Sequence, residues 1–361
     1  MKTLIFHWSY DSIVGIGGGE VLINNVGRSL SSPVHCIVRN KQNKLGFVDI
    51  TPKIPFSAKL FRGMRIMDYL SWSSIDPMDF DLDADIILTS GMTTRAIITP
   101  DNIPQVNLCF SPPRFLYDMW HHRRKNSKLG CLLPPIGEIM RIWDQSVDSR
   151  VDNYITISPI VKRRLWKYLK RDSDIIYPPI DCSKYQNKSS EDYFLFLSRI
   201  EPEKRPEEAI QACINTHQKL IIAGTGSLSK KLESKYKNNK NIVFAGFVKE
   251  EDKIELLSHC EALIYTPIAE DFGIVPIEAL ASGKPVICSN DGFPPTLIKD
   301  KYGTITDGTS KGISGAIKTL PEFNSQNLIN CAKQFDFSIF KEKLNERMKF
   351  YYDDFNNKFN T

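Results

Sequence analysis

The chain has 361 residues, 42% hydrophobic and 25% charged, with a formal net charge of +5. No stretch reaches the roughly 18 apolar residues of a membrane span, and eight scattered cysteines without a C-x-x-C pair exclude a zinc site or a disulfide framework. The mild basic excess suits phosphate ligands or an anionic membrane surface, and a plain solvated surface equally well.

The length predicts two domains. The first apolar run, in "MKTLIFHWS", is too short for a signal-peptide core, so any membrane contact is expected to be peripheral and the thiols reduced in a cytoplasmic protein. Short runs, apolar on both faces, follow at 34–38, 85–90, 105–110, 154–158 and 174–179. A polar stretch, 178–192, opens with Pro-Pro and reads as a linker. A second series of runs occupies 193–198, 220–224, 242–247, 262–266 and 285–289. Such runs read as buried parallel strands. Helical patterns lie between them: "PEEAIQACINTH" opens with Pro206, Glu207 and Glu208, which suit a first turn. The expected fold is α/β with two parallel sheets, over 1–180 and 181–337, and a C-terminal helical element over 338–361.

"EDFGIVPIEALASGKPVI" (270–287) carries the most chemistry. It predicts a loop after a strand, then a helix from Pro276 to Gly283, with Glu270 on the loop and Glu278 in the first helical turn. Ligands of parallel sheets bind at this carboxyl edge. The N–H groups of Gly273, Ile274 and Val275 favour an anion such as a phosphate. Carboxylates beside a phosphate site make sense if they accept hydroxyl protons, which describes a nucleotide sugar. A dipole-complementing Glu278 and a surface Glu270 give the same letters.

The stretch resembles the signature of glycosyltransferase family 4, retaining transferases with the two-domain GT-B fold, in which two Rossmann-like domains face a cleft and the C-terminal helix crosses back to the first. "FLSRIEPEKRPEEAI" (196–210) is similar to the family's strand and loop that set Arg199 and Lys204 on the donor diphosphate. "IIAGTGSL" (221–228) resembles its glycine turn, with Gly224 and Gly226 on the nucleotide side, and "NIVFAGFV" (241–248) places Phe247 and Val248 near the base. "YITISPIVKRRLWKYLKRDSDIIYPPID" resembles O-antigen and lipid-linked mannosyltransferase-like members; its basic run reads as a solvated helix face.

In the first half, "GIGGGE" sets glycines before a helix. The resemblance assigns Gly18, Gly19 and Glu20 to the site, although a tight turn reads the same way. "LCFSPPRFLYD" (108–118) resembles the mannosyltransferase-like subgroup, with Phe110 where the family has His and Ser111 where it has Thr. "DGFPP" departs from the family too, with Asp291 for a Gly and Pro295 for a Glu. From Arg114 to Lys128 there are five basic residues against one acid, Asp118, interleaved with apolar ones. That segment reads as a membrane-surface patch or as a charged loop. His121–His122 lacks further ligands at metal spacing. "DLDAD" (81–85) precedes a strand, the wrong side for a metal motif.

The resemblance implies sugar transfer from a nucleoside diphosphate sugar, GDP-mannose or a UDP-sugar, to a glycan or polyprenyl-linked hydroxyl, without metal or resident cofactor. It implies Arg199, Lys204 and Glu270 as the catalytic set. Glu278 would hold the ribose, and the backbone of Phe272, Gly273 and Ile274 the sugar. Peripheral contact with an anionic membrane on the cytoplasmic face accompanies a lipid-linked acceptor, and no nucleic acid is expected. A nucleotide-sugar epimerase and a catalytically weak binding partner share these features.

Overall fold

The computed structural model describes residues 1–10, 17–38, 44–54, 68–125 and 133–359. They form two compact units, 1–177 with 340–361, and 178–339.

The first unit is built on β1 (Thr3–Tyr10), α1 (Gly18–Leu30), β2 (Val34–Val38), β3 (Val48–Asp49), α2 (Asp68–Ser73), β4 (Ile86–Ser90) and β5 (Gln105–Cys109). It continues with α3 (Trp120–Lys125), α4 (Leu133–Asp148), β6 (Asn153–Thr156), α5 (Pro159–Leu169) and β7 (Asp174–Ile175). Every strand pairing is parallel, in the order β3-β2-β1-β4-β5-β6-β7. β4 and β5 are buried along their whole lengths, which explains why they read as continuous apolar runs rather than alternating ones. Helix α5 starts where the letters require: Ser158 accepts from the Val161 N–H at 3.3 Å and Pro159 fills the first position.

A charged cluster fixes α4 to this unit. The buried Arg95 guanidinium pairs with Asp144 and, at 3.2 Å, with Asp148, while Tyr69 and Tyr117 donate to Asp144 at 3.0 and 2.9 Å. Burial opposes the charge on Arg95, but the acids beside it outweigh that and hold its pKa high.

The second unit comprises β8 (Tyr193–Leu197), α6 (Pro206–Thr216), β9 (Lys219–Ala223), α7 (Ser229–Tyr236), β10 (Ile242–Gly246) and α8 (Glu250–His259). After these come β11 (Leu263–Tyr265), α9 (Ile274–Ala281), β12 (Val286–Ser289), α10 (Pro294–Tyr302), β13 (Gly303–Thr306), α11 (Ser310–Lys318) and α12 (Ser325–Lys333). Its sheet is also parallel, in the order β10-β9-β8-β11-β12-β13. The order reverses between β8 and β11, and such a switch point opens a crevice at the carboxyl ends of the two strands. The last helix, α13 (Phe337–Phe359), carries residues 340–359 into the first unit, where Tyr351 donates to Asp174 at 2.6 Å.

Candidate functional site

The sequence-predicted residues of the second unit gather around the switch point. The loop after β8 carries Arg199 and Lys204; the loop after β11 carries Glu270. Two hydrogen bonds hold the loops together: the Ile268 N–H donates to the Glu203 carbonyl at 2.8 Å, and the Thr266 hydroxyl to the Lys204 carbonyl at 3.4 Å. Lys204 and Glu270, 66 residues apart, form a half-buried ion pair. The Arg199 side chain is 70% exposed and only loosely paired, 3.8 Å from Glu203.

The turn after β9 lies on the first of these loops. Gly224 has φ +136°, and a Cβ there would stand 1.9 Å from the Ser198 carbonyl oxygen. A Cβ at Gly226 would stand 2.4 Å from that of Ile200, so neither position admits a side chain. Glu201 completes the seam by accepting from the Ser227 N–H at 3.0 Å and its hydroxyl at 2.5 Å. Phe247, 79% exposed, and half-buried Val248 follow β10, two strands from β8.

The helix carrying Glu278 differs from its sequence reading. It begins at Ile274 rather than Pro276 and ends at Ala281, so Glu278 lies in the second turn, buried, not in the first. Its Oε1 accepts from the Tyr185 hydroxyl at 2.9 Å and from Lys253 Nζ at 2.7 Å. Burial works against the charge on Lys253, but Glu278 and Glu250 prevail and raise its pKa. The Tyr185 hydroxyl is pushed above its usual range, first by burial and then by Glu278. Neither partner was legible: Tyr185 lies 93 residues away and Lys253 sits on α8.

Gly273 caps α9 with φ +84°, leaving the first-turn N–H groups of Ile274 and Val275 outside the helix's own ladder. Phe272 enters with its backbone alone. Its ring is buried and stacks on Phe293, with centroids 5.5 Å apart. Phe293 belongs to the departing "DGFPP" stretch, and its N–H donates to the Glu270 carbonyl at 2.9 Å. Sequence reasoning therefore missed the segment that shapes the Glu270 loop. Tyr265, buried beneath it, has its hydroxyl pushed up by burial and then by Glu270.

In the first unit, the Glu20 carboxylate accepts from the Gly17 N–H at 3.0 Å and so caps its own helix. Gly19 faces the Phe110 ring, 3.5 Å from where a Cβ would stand. Phe110 also packs against His7, with centroids 6.2 Å apart. His7, within β1, is fully buried and shares a 2.7 Å hydrogen bond with Ser90, the last residue of β4. Asp81 and Asp83 of "DLDAD" are engaged by Lys2, at 2.6 and 3.8 Å. Among the described residues no cluster of His, Cys, Asp or Glu is placed to hold a metal.

Two doubly wound parallel sheets, the second with paired charges and a helix N-terminus at its switch point, define the class of GT-B folds. Solved structures agree. The chain superposes on an apo lipopolysaccharide outer core galactosyltransferase, WaaB, with TM-score 0.68 at 16% identity, covering 96% of this chain and 99% of that one. It superposes likewise on Anabaena HepE in complex with UDP-glucose, with TM-score 0.69 at 16% identity, covering 96% and 99%. Residues 181–332 match the family described as Glycosyl transferases group 1. The chain thus has the GT-B fold, and most of its second unit matches the group 1 family. Its relatives include the alpha-1,3/1,6-mannosyltransferase ALG2 of Saccharomyces cerevisiae, 28% identical over 218 residues, covering 45% of this chain and 43% of that protein. The O-antigen chain mannosyltransferase RfbU of Salmonella typhimurium is 26% identical over 207 residues, covering 54% and 59%. The matched stretches span about half the length of these relatives.

Proposed function

We propose that the protein transfers a sugar from a nucleoside diphosphate sugar to a hydroxyl of a glycan or polyprenyl-linked acceptor, with retention and without a metal. The observation that carries this reading is the Lys204–Glu270 pair at the switch point, beside the N-terminus of α9. An arriving diphosphate takes Lys204, already held in place, together with the exposed Arg199 and the first-turn N–H groups. Released from Lys204, Glu270 accepts hydroxyl protons of the sugar. Both structural bonds to Glu278 end on Oε1, so its Oε2 is the oxygen assigned to the ribose. Gly224 and Gly226 let the backbone approach the nucleotide, and Phe247 and Val248 border its base.

Two cations and a helix N-terminus stabilise the charge that develops on the leaving diphosphate, the work a metal does elsewhere. The diphosphate then assists in removing the acceptor proton on the face it leaves, a mechanism that depends on positioning more than on a base. Gly18, Gly19 and Glu20 are assigned to binding of the nucleotide-sugar donor. Mannose from GDP-mannose is the favoured donor, supported by the names of the two mannosyltransferase relatives. No helix among the described residues is long and apolar enough to cross a membrane, so a polyprenyl-linked acceptor would be met at a bilayer surface. The test is turnover and calorimetry with GDP-mannose and UDP-glucose, with and without EDTA. Saturable donor binding and EDTA-insensitive turnover are expected. Absence of binding to any nucleoside diphosphate sugar would overturn the reading.

A further inference from the structure

The buried carboxylate of Glu278 is held from two separate elements, and both attach to the same oxygen. The Tyr185 hydroxyl and Lys253 Nζ each donate to Oε1, at 2.9 and 2.7 Å. Tyr185 lies in the segment that opens the second unit, directly after the turn Cys182–Lys184. That turn is itself fixed: the Tyr185 N–H donates to the Cys182 carbonyl at 3.3 Å, and the Cys182 N–H to the Asp336 carboxylate at 3.2 Å. Lys253 is the fourth residue of α8, a helix that begins two residues after Val248. Its ammonium also pairs with Glu250 at 2.9 Å and lies 6.0 Å from the centre of the Tyr185 ring. The three side chains thus form one closed set around Oε1.

A pairing that served stability alone would gain most by filling both carboxylate oxygens, since a buried oxygen without a donor is costly. Here two donors crowd one oxygen. Among the described residues none donates to Oε2, although the residue is only 6% exposed. Two donors from different elements stop the carboxylate from turning about its terminal torsion, so Oε2 has a fixed direction. The ammonium also favours the ionised form. An ionised carboxylate only accepts hydrogen bonds, which suits hydroxyls that donate to it.

We infer that Tyr185 and Lys253 are positioning residues: they aim Glu278 Oε2 at the ribose hydroxyls and make the site selective for ribonucleotides over their deoxy counterparts. The inference deepens the proposed function and rests on its assignment of Glu278 to the ribose. A ribose satisfies the remaining oxygen. A sugar that lacks the hydroxyls leaves it buried without a donor, and a site built around a hydroxyl rejects the analogue for that reason. Tyr185 and Lys253 touch Glu278 and not the nucleotide, so their effect is confined to how well Oε2 is presented.

The test is calorimetry of the full chain with GDP, UDP and the 2′,3′-dideoxy form of each. The wild-type chain should prefer the ribose form of the nucleotide it binds by about fiftyfold. Tyr185→Phe should shrink that preference by about fivefold and Lys253→Met by about tenfold, with affinity for the dideoxy form unchanged in both. A double-mutant cycle isolates the route: once Glu278 is replaced (Glu278→Gln), adding Lys253→Met should change the preference no further. The double variant also removes both charges of the pair, so it serves should Lys253→Met alone misfold. An undiminished ribose preference in the folded variants would overturn the inference. So would equal losses for the ribose and dideoxy forms, which would make the two residues structural only, or a further loss in the double variant. A wild-type chain that binds nucleotide without preferring ribose refutes the inference and leaves the transferase reading standing; one that binds neither GDP nor UDP refutes both.

Discussion

Lys204 and Glu270 neutralise each other, so neither charge is left unpaired in a half-buried place. Arg199 is the more exposed of the two cations and is only loosely paired. Lys204→Ala and Arg199→Ala should each lower turnover by about a hundredfold, the scale for losing one charge-stabilising contact, while thermal unfolding stays near that of the parent chain. Near-normal turnover in both would remove them from the site. In the first unit, burial pushes the His7 pKa down to about 3. The unfolded chain takes up a proton near pH 6.5 that the folded chain refuses. Stability contributed by this residue is therefore complete above about pH 6.5 and declines as pH falls toward 3, by up to about 1.4 kcal/mol per pH unit. Denaturant titrations across that range should show the slope, and His7→Gln should flatten it. Charged residues at strand ends were legible in the letters; their pairings were not. Tyr185 reaches Glu278 across 93 positions, a contact created only when the chain closes.

At the scale of elements, the apolar runs located the strands because a parallel strand is buried on both faces. Helix starts were legible where a side chain announces them, as Ser158 does for α5. Helix α9 has no such signal: Gly273 caps it through backbone conformation, so the start was read two residues late. The segment after β12 shows the same limit more sharply. Gly292 has φ +77°, and a Cβ there would meet the Glu270 backbone N and O at 2.6 Å. Gly292→Ala should displace the Glu270 loop and reduce turnover by about a hundredfold, since a shift of about 1 Å in a reacting group can cost that much. Gly246→Ala is the control. It has φ +66° with nothing within 4 Å of its Cβ, so only the backbone strain of about 1 kcal/mol is expected, with turnover retained. Equal activity of both variants would show that the Gly292 contact does not position Glu270.

Across the whole molecule the two units can be followed separately, because all five tryptophans, at 8, 72, 120, 143 and 166, belong to the first unit. Tryptophan fluorescence reports that unit alone. If the nucleotide binds only the second unit, donor at about 100 times its Kd should stabilise that unit by about 2.7 kcal/mol in calorimetry. The fluorescence transition should move less. Equal shifts of both signals would mean that the nucleotide is shared between the units. The sequence by itself determined that there are two parallel α/β sheets and where most strands lie, because double burial demands local runs of apolar residues. It also determined that glycines and carboxylates stand at the strand ends, since a tight backbone approach and an acceptor oxygen each require particular residue types. Only the tertiary structure decided that Lys204 closes on Glu270, that Tyr185 and Lys253 hold Glu278, and that Ile136, Ile139 and Ile142 of α4 stay exposed. Those outcomes depend on contacts between distant segments and on which face of each helix the packing claims first, and a linear pattern records neither.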